Sequence, residues 1–354
     1  MSKSTINIFV GGAGTSVGQH FLQASNNSEK IFVADNEVPE CLRGNVTHIQ
    51  SKRCRNSFFD GYQQNDVSFS LLSALRNEIE RHESTPGIQI VHSTCGGTGS
   101  GVVSNFLPSL RDFLPNAFVH TCSLFSSHGY LDCVLQPYTE ALTLGMALID
   151  HTDLTSCFST EAALHTLLKK TAKPTHEHVN GVFGRALACI ESPVASQMLS
   201  WTEYRDFFLY NRHRDQHFLT TRFTPIAPTV DITDVTDVVD KLFENESLLI
   251  SPQRSCRSTA CQLVICDEQI KAYGEISKHC CENARVDFRD SFSGGTPAAA
   301  CISNSDHVVE LFNTVCKDFD ALWERKAFLH YFNGITEEMT ESRMKLDELI
   351  KKYQ

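Results

Sequence analysis

The sequence predicts an α/β fold: an N-terminal, doubly wound, mainly parallel sheet, one long central helix, and a C-terminal α+β region with two terminal helices. Through the first half, short apolar runs alternate with amphipathic runs of helix length, as in strand–helix–strand crossover units. The second half instead has a few strand-like runs before two helices. The length of 354 residues favours about two domains.

The first half supplies the predicted crossover units. Runs rich in Ile, Val and Phe predict strands, and apolar residues at helical spacing predict the helices between them. The strands are predicted at Ile6–Val10, Ile31–Ala34, Ile88–His92, Phe118–Phe125 and Leu154–Phe158. The helices are predicted at Ser16–Ala24, Val67–Arg81, Gly101–Phe113 and Pro137–Ile149.

A long helix and a smaller region follow. Pro174 suits a first helical turn, and the helix is predicted to run to Leu199 with a bend or an end near Pro193. After it come strand-like runs and two amphipathic helices with apolar faces beginning at Val308 and ending at Ile350. The strands are predicted at Phe218–Ile226, Gln262–Asp267 and Ala298–Ile302. The predicted domains are a first domain (1–173), the central helix (174–200), an intermediate α+β domain (201–305) and the C-terminal helices (306–354).

Charge and composition exclude several function classes. Lys and Arg number 31 against 42 Asp and Glu, a net charge of −11, which disfavours general attraction to nucleic acid or anionic membrane. No apolar run reaches the length of a membrane span, and the first residues lack a signal-peptide pattern, so we expect a cytoplasmic protein. The 14 cysteines are scattered, which predicts free thiols in that compartment.

The sharpest motif is Cys95-Gly-Gly-Thr-Gly-Ser-Gly101, named here the cradle loop, between a predicted strand and a predicted helix. Glycines let successive backbone N–H groups converge on an anion, and Thr98 and Ser100 add hydroxyl donors. A turn without a ligand needs fewer glycines than the four present here. No lysine follows Gly101, so the lysine-dependent P-loop pattern fails.

The N-terminal glycine segment, Gly11-Gly-Ala-Gly14, ends the first predicted strand. This segment is compatible with two kinds of ligand, a triphosphate or a dinucleotide. A dinucleotide-binding fold also has a glycine turn here and an acidic residue about twenty positions later, a position that Asp35 occupies. The spacing to Gly18 misses the dinucleotide fingerprint by one residue. Two glycine motifs at neighbouring strand ends favour a triphosphate held from two sides.

These motifs resemble the tubulin and FtsZ superfamily of GTPases. Ser93–Gly101 resembles its signature loop, with Cys95 in place of the first glycine, and Val134–Tyr138 resembles the segment after the tubulin ribose loop. Pro174–Asn180 resembles the start of the central helix, and Arg325–Gly334 is similar to tubulin alone. The motifs occur in the same order along nearly the whole chain, which indicates a divergent tubulin.

The resemblance implies a GTP-binding domain over residues 1–173, with GTP/GDP and Mg²⁺ as cofactors. Asp35 and Glu37 match the acidic pair near the γ-phosphate and its Mg²⁺. The implied nucleotide contacts are Gly11, Gly12, Ala13, Gly14, Asn56, Ser93, Gly96, Gly97, Thr98, Gly99, Ser100, Asp132, Thr160, His176 and Asn180.

The base-binding positions are partly substituted. His176 replaces the stacking tyrosine and keeps a planar ring, while Thr160 replaces an asparagine of the preceding loop. Asn180 keeps the amide that complements the guanine edge. Guanine recognition therefore rests mostly on Asn180.

Catalysis in the family resembles a shared-site mechanism, in which a loop of one subunit positions water on the γ-phosphate held by the next. The corresponding segment here is Leu199–Asp206, with Trp201 in place of an asparagine. Glu203 and Asp206 keep the spacing of the two acids and would share one helix face. Two solvated surface carboxylates are the equally open alternative.

The chain is short for a tubulin. The segments between Gly14 and Asp35, and between Pro225 and Val230, are shorter where lateral-contact loops would lie. We expect an assembly-dependent GTPase that forms head-to-tail protofilaments with itself or a related tubulin-like subunit, with no nucleic acid and no membrane span. The alternative is a non-polymerising pseudo-tubulin that binds nucleotide or a partner and caps or sequesters it. A nicotinamide-dependent reductase would leave the C-terminal resemblance unexplained.

Overall fold

The computed structural model describes residues 5–25, 30–42, 46–82, 86–126, 133–190, 200–226, 241–244, 247, 249–250, 258–266, 283–289 and 298–354. The chain forms two compact units. The first unit comprises Met1–Thr15, Glu29–Thr155 and Val309–Gln354, and the second comprises Ser16–Ser28 and Ser156–Val308. The four domain ranges predicted from the sequence stay predictions.

Parallel strands form the centre of the first unit. The strands are β1 (Thr5–Val10), β2 (Ile31–Asp35), β3 (Thr47–Gln50), β4 (Gly87–Ser93) and β5 (Val119–Phe125), in the order β3-β2-β1-β4-β5. All four of these pairings are parallel. Four of the strands are almost entirely buried, as expected for parallel strands covered on both faces. Val10 pairs with Ala34 and with His92, so these strands end at one edge.

Helices connect these strands. They are α1 (Gly11–Ala24), α2 (Phe58–Tyr62), α3 (Asn65–Ile79), a π-helical turn (Thr98–Val102), α4 (Val103–Phe113), α5 (Gln136–Thr143), a second π-helical turn (Leu144–Leu148) and α6 (Ile149–His151). The helix α1 begins at Gly11, five residues before the predicted start, because the N-terminal glycine segment is its first turn. The predicted helix Pro137–Ile149 matches the run from α5 through α6.

The second unit contains a mixed set of strands. The strand β6 (Leu154–Ser159) and the helix α1 each cross the boundary between the units. The unit's other elements are α7 (Thr160–Lys170), α8 (His176–Ile190), α9 (Trp201–Phe208), β7 (Phe218–Thr224), β8 (Ser258–Cys266), β9 (Asn283–Arg289) and β10 (Ala298–Ser305). The order is β7-β10-β8-β9, and β10 is antiparallel to both of its neighbours, while β8 and β9 are parallel.

The chain ends with α10 (Val308–Trp323) and α11 (Thr336–Tyr353). In the first unit, Tyr138 of α5 is fully buried among Phe319, Trp323 and Phe332, with edge-to-face ring contacts, and donates its hydroxyl to the carbonyl of Ala327 at 3.1 Å. This aromatic group packs α10 and the segment that follows it against α5.

The predicted α/β fold class is confirmed. The elements that were not predicted include α2, α7, β3 and β9. The strand β3 alternates between half-buried and exposed residues and has no apolar run to reveal it. The described part of the long central helix is α8, ending at Ile190, and the predicted bend at Pro193 lies outside the described residues. Among the described helices, none combines the length and apolar character that a membrane crossing requires.

Candidate functional site

A cavity of about 270 Å³ lies in the first unit beyond the ends of β1 and β4. Ligands of open parallel sheets bind at this edge, where loops and helix N-termini converge. Most of the predicted phosphate contacts lie together in its wall. The lining residues are Val10, Gly11, Gly12, Ala13, Arg55, Asn56, Ser93, Cys95, Gly96, Gly97, Thr98, Gly99, Ser126, Cys133 and Gln136.

The N-terminal glycine segment and the cradle loop approach each other backbone to backbone. Gly11 has a φ of +74°, and a Cβ placed on it would lie 2.8 Å from the amide nitrogen of Gly99. A Cβ on Gly99 would lie 2.9 Å from the carbonyl oxygen of Ser93. A side chain at Gly11 would separate the two segments, and one at Gly99 would push the cradle loop away from Ser93, so the cavity wall requires glycine at both positions.

The cradle loop leads into a helical run without a side-chain cap. The π-helical turn and α4 together form one run from Thr98 to Phe113, and Gly97 at its N-cap position provides no side-chain hydrogen bond. The N–H groups at such an end, together with the helix dipole, favour an anion. Ser100 is fully buried and donates its hydroxyl to the carbonyl of Gly96. Thr98 lines the cavity and Ser100 stabilises the loop from inside.

The buried side chain of His92 forms a hydrogen bond to the backbone of the cradle loop. The Nδ1 of His92 lies 3.1 Å from the carbonyl oxygen of Gly99, and its Nε2 lies 2.9 Å from the Oγ of Ser123. Because a carbonyl only accepts, Nδ1 carries the proton and Nε2 accepts from Ser123. Burial lowers the pKa of His92 to about 4. The ring is therefore neutral at pH 7 and keeps this tautomer.

Cys95, the residue in place of the first signature glycine, contacts a buried carboxylate. Its Sγ lies 3.3 Å from Oε1 of Glu140, a fully buried residue of α5. The same oxygen accepts the backbone N–H of Ser126 at 3.0 Å. Burial, and secondarily the Glu140 charge, raise the pKa of the Cys95 thiol well above its usual range. The thiol is thus an anchor of the loop and not a nucleophile.

The segment before α2 completes the wall. A Cβ on Gly97 would lie 2.3 Å from the Cβ of Cys54, and the N–H of Gly97 donates to the carbonyl of Arg55 at 3.2 Å. Arg55 has a φ of +51°. This close packing brings Asn56, the predicted third-loop contact, into the lining next to the cradle loop.

The predicted metal residues lie at the end of β2. Asp35 is buried, accepts from the Asn36 N–H at 2.8 Å and from the Thr15 hydroxyl at 3.5 Å, and lies 3.9 Å from where a Cβ on Gly12 would be. Burial raises the pKa of its carboxyl, partly offset by the Asn36 hydrogen bond. Glu37 is exposed. Within the described ranges no three His, Cys, Asp or Glu side chains converge on a metal position, but Mg²⁺ commonly takes one or two carboxylates plus phosphate oxygens.

Comparisons with known proteins agree with this geometry. The family model for the GTPase domain of the Tubulin/FtsZ family matches residues 4–167. A tubulin beta-2 chain of Geotrichum candidum is 26% identical over 313 residues, covering 80% of this chain and 68% of its own. A tubulin beta-2 chain of Suillus bovinus is 26% identical over 335 residues, covering 84% and 73%. By these matches the chain is tubulin-like. A tubulin beta chain of Saccharomyces cerevisiae is similar to this tubulin-like chain at 26% identity over 312 residues, 80% of this chain and 68% of its own.

Three predicted base contacts, Thr160, His176 and Asn180, belong to the second unit. Thr160 begins α7, after Ser159 accepts the N–H of Ala162 at 3.2 Å as the helix cap. His176 and Asn180 lie one turn apart on α8, His176 exposed and Asn180 half-buried. Asp132, the predicted ribose contact, lies outside the described residues. The roles of these four residues stay predictions.

The two predicted catalytic acids of the tubulin-like chain lie on α9. Glu203 forms a capping box: its carboxylate accepts the Ser200 N–H at 2.7 Å, and the Ser200 hydroxyl accepts the Glu203 N–H at 3.2 Å. Asp206 is exposed and pairs with Arg205 at 2.9 Å. Glu203 therefore has a structural task at the helix start, whereas Asp206 makes a surface pair of the kind that contributes little to stability.

Two residues that hold the cavity were not predicted. His92 is a polar residue of β4 directly before the signature motif, and that position was the available signal. Glu140 is a charged residue of α5, a helix in which every residue is buried. The sequence shows both residues but not that they bind the loop.

Proposed function

We propose that this chain is a cytoplasmic, tubulin-like GTP-binding protein of the cytoskeleton, which assembles head to tail into protofilaments with itself or a related tubulin-like subunit. One observation carries the nucleotide assignment: the N-terminal glycine segment and the cradle loop pack backbone to backbone around one cavity at the ends of β1 and β4. Two sets of backbone N–H groups at one site suit a chain of phosphates.

Magnesium fits the same site through Asp35. The carboxyl is buried beside Gly12, and its burial disfavours the charged form until a cation is present. Bound Mg²⁺ would neutralise charge on the phosphate oxygens, and Asp35 would hold it directly or through water, with the exposed Glu37 beside it. In this proposal the remaining phosphate contacts come from the cradle loop, which includes Thr98.

Hydrolysis is proposed to need a second subunit. Asp206 is exposed on α9, and a carboxylate so placed is accessible to a neighbouring chain. In this proposal Asp206 positions water on the γ-phosphate bound by the next subunit, and Glu203 mainly caps α9. Such a step relies on positioning and electrostatic stabilisation of the phosphoryl group.

A non-polymerising pseudo-tubulin is the second candidate. The capping box favours this candidate, because it already engages Glu203, one of the two expected catalytic acids. Trp201, at the position where the family has an asparagine, favours it as well. In that case the chain would bind nucleotide or a partner and cap or sequester it, without hydrolysis.

Identification of the nucleotide that co-purifies with the protein tests the first assignment. GTP or GDP is expected, and NAD(P) or the absence of any nucleotide binding would contradict it. Pelleting and negative-stain microscopy then test assembly, with GTP and with a slowly hydrolysed analogue. Filaments in both support the proposal, whereas bound GTP without filaments at high protein concentration favours the pseudo-tubulin.

A further inference from the structure

Arg55 lines the phosphate cavity and has no predicted role. Among the described residues that line this cavity, Arg55 is the only one with a formally charged side chain, and the others are glycines or neutral residues. The family resemblance gives the third-loop contact to its neighbour, Asn56. Arg55 and the cavity belong to the same unit, the first. The cavity therefore contains a cation that the family resemblance leaves unexplained.

Arg55 lies at the tip of a tight turn. The N–H of Ser57 donates to the carbonyl of Cys54 at 3.0 Å, so Arg55 and Asn56 are the two central residues of the turn. Arg55 has a φ of +51°, in the left-handed region that arginine rarely adopts. Such a conformation persists only where the surrounding structure holds it.

The cradle loop and a buried glutamine hold this turn. Gly97 of the cradle loop donates its N–H to the carbonyl of Arg55 at 3.2 Å. Gln64, which is buried, accepts the N–H of Lys52 at 2.7 Å and donates to the carbonyl of Lys52 at 3.2 Å. The protein itself thus fixes the backbone of Arg55 beside the cradle loop.

The Arg55 guanidinium is available to a ligand. The side chain is exposed, and within the part of the chain that the structure describes it forms no ion pair and no hydrogen bond. Lys52, by contrast, lies 3.9 Å from the carboxylate of Asp66. A guanidinium is always charged and has five N–H donors in a planar fork that matches phosphate oxygens. A contact with phosphate therefore costs no internal interaction.

A phosphate chain in this cavity requires positive charge. The protein has a net charge of −11, and the Asp35 carboxylate lies close to Gly12 in the cavity wall. The backbone N–H groups of the cradle loop supply only partial charges. The lysine that reaches the phosphates in a P-loop is absent after Gly101. Among the described lining residues, only Arg55 can supply a full positive charge.

We propose that the Arg55 guanidinium forms an ion pair with the phosphate chain of the bound nucleotide and does there what the lysine does in a P-loop. The inference rests on the proposed function, since it assumes a phosphate ligand in this cavity. The cation comes from the same subunit that holds the phosphates. The contact is therefore independent of assembly and can be measured on the unassembled protein.

The test is isothermal titration of GTP, with Mg²⁺ present, into the wild type and two variants of Arg55. Arg55→Asn removes the charge, and asparagine tolerates the left-handed backbone conformation, so the turn is kept. We expect the affinity for GTP to fall about tenfold to a hundredfold. Arg55→Lys keeps the charge without the planar fork and is expected to lose less affinity than Arg55→Asn.

Arg53→Asn is the matched control. Arg53 is exposed and lies two residues away, but it is not among the described lining residues, so this variant is expected to bind GTP with close to the wild-type affinity. Raising NaCl from about 50 mM to about 500 mM is expected to weaken GTP binding more in the wild type than in Arg55→Asn. If the wild type binds GTP and Arg55→Asn binds it as tightly as Arg53→Asn, this inference is overturned while the proposed function stands. If the wild type binds no GTP, both are overturned.

Discussion

At the residue scale, three glycines of α1 differ in what their backbone touches. A Cβ on Gly14 would lie 2.4 Å from the carbonyl oxygen of Val91 in β4, whereas a Cβ on Gly12 would meet only the Asp35 carboxylate at 3.9 Å. Gly11 combines a positive φ with contact to the cradle loop. Gly14 therefore sets how closely α1 lies against the sheet, and Gly12 leaves room in the cavity.

Alanine substitutions separate these two tasks. Gly14→Ala is expected to lower the free energy of unfolding by about 2 kcal/mol or more, because β4 or α1 must move to relieve the overlap. Gly12→Ala is the matched control and is expected to keep or raise stability by up to about 1 kcal/mol, since alanine is the better helix former. Urea denaturation of both variants measures this. Equal destabilisation of the two would contradict the packing argument.

The two acids of α9 also separate at this scale. Asp206→Asn is expected to slow GTP hydrolysis at least tenfold, because it removes the carboxylate proposed to position water, while nucleotide affinity stays unchanged. In the structure the Asp206 carboxylate accepts from the half-buried Arg205 of the same helix. Glu203→Gln keeps the capping geometry and is expected to hydrolyse GTP at close to the wild-type rate. Phosphate release under assembly conditions measures both rates. A larger loss in Glu203→Gln than in Asp206→Asn would reverse the assigned roles.

At the element scale, β4 and β5 each bury a histidine. His92 is 0% exposed and His120 is 5% exposed, and burial lowers the pKa of each to about 4. In the unfolded chain the ordinary pKa is near 6.5. Between pH 6.5 and 4 the unfolded state therefore binds more protons than the folded state, so protonation favours unfolding.

Acidification is accordingly expected to destabilise the protein below about pH 6.5. Above that pH both rings are neutral in the folded and the unfolded chain, and the free energy of unfolding is not reduced. As the pH falls toward 4, each histidine lowers the free energy of unfolding by up to about 1.4 kcal/mol per pH unit. The raised pKa of Asp35 has the opposite sign. Unfolding free energies at pH 7.5 and 5.5 measure the loss.

His120→Asn isolates one of these rings. It is expected to reduce the difference in unfolding free energy between pH 7.5 and 5.5 by about 1 kcal/mol relative to the wild type. His330→Asn, at an exposed position of the C-terminal segment, is the matched control and is expected to leave that difference unchanged. A His120→Asn variant with the full wild-type pH dependence would refute this origin of the acid sensitivity.

At the scale of the whole molecule, the chain consists of two compact units, and the phosphate cavity belongs to the first. A ligand that binds only the folded state adds RT ln(1 + [L]/Kd) to stability, about 2.7 kcal/mol at one hundred times Kd. This term acts on whichever part of the molecule unfolds with the site.

GTP with Mg²⁺ is therefore expected to raise the thermal unfolding midpoint by on the order of 5 °C at a hundredfold excess over Kd. ATP at the same concentration is expected to give a much smaller shift, because adenine lacks the donor edge that the predicted guanine contact Asn180 would complement. Differential scanning fluorimetry with both nucleotides measures the shifts. Equal shifts for GTP and ATP would indicate a phosphate site without base selection.

The sequence alone predicted the fold class, most strands and helices, and most of the residues that line the cavity, because these depend on local signals. Apolar runs indicate buried strands, and the glycines that permit close backbone approach can be identified directly in the sequence. The match of residues 4–167 to the Tubulin/FtsZ GTPase domain family agrees with the resemblance that these motifs carry.

Tertiary structure decided which of these residues act together. Only packing shows that Ser100 turns inward to Gly96, that His92 and Glu140 hold the cradle loop, and that Glu203 caps α9. Contacts between residues distant in the chain depend on how elements are placed against one another, and periodicity carries no information about them. The sequence by itself determined two glycine motifs at the strand ends of an α/β fold, and the tertiary structure decided that they line one cavity and which side chains support it.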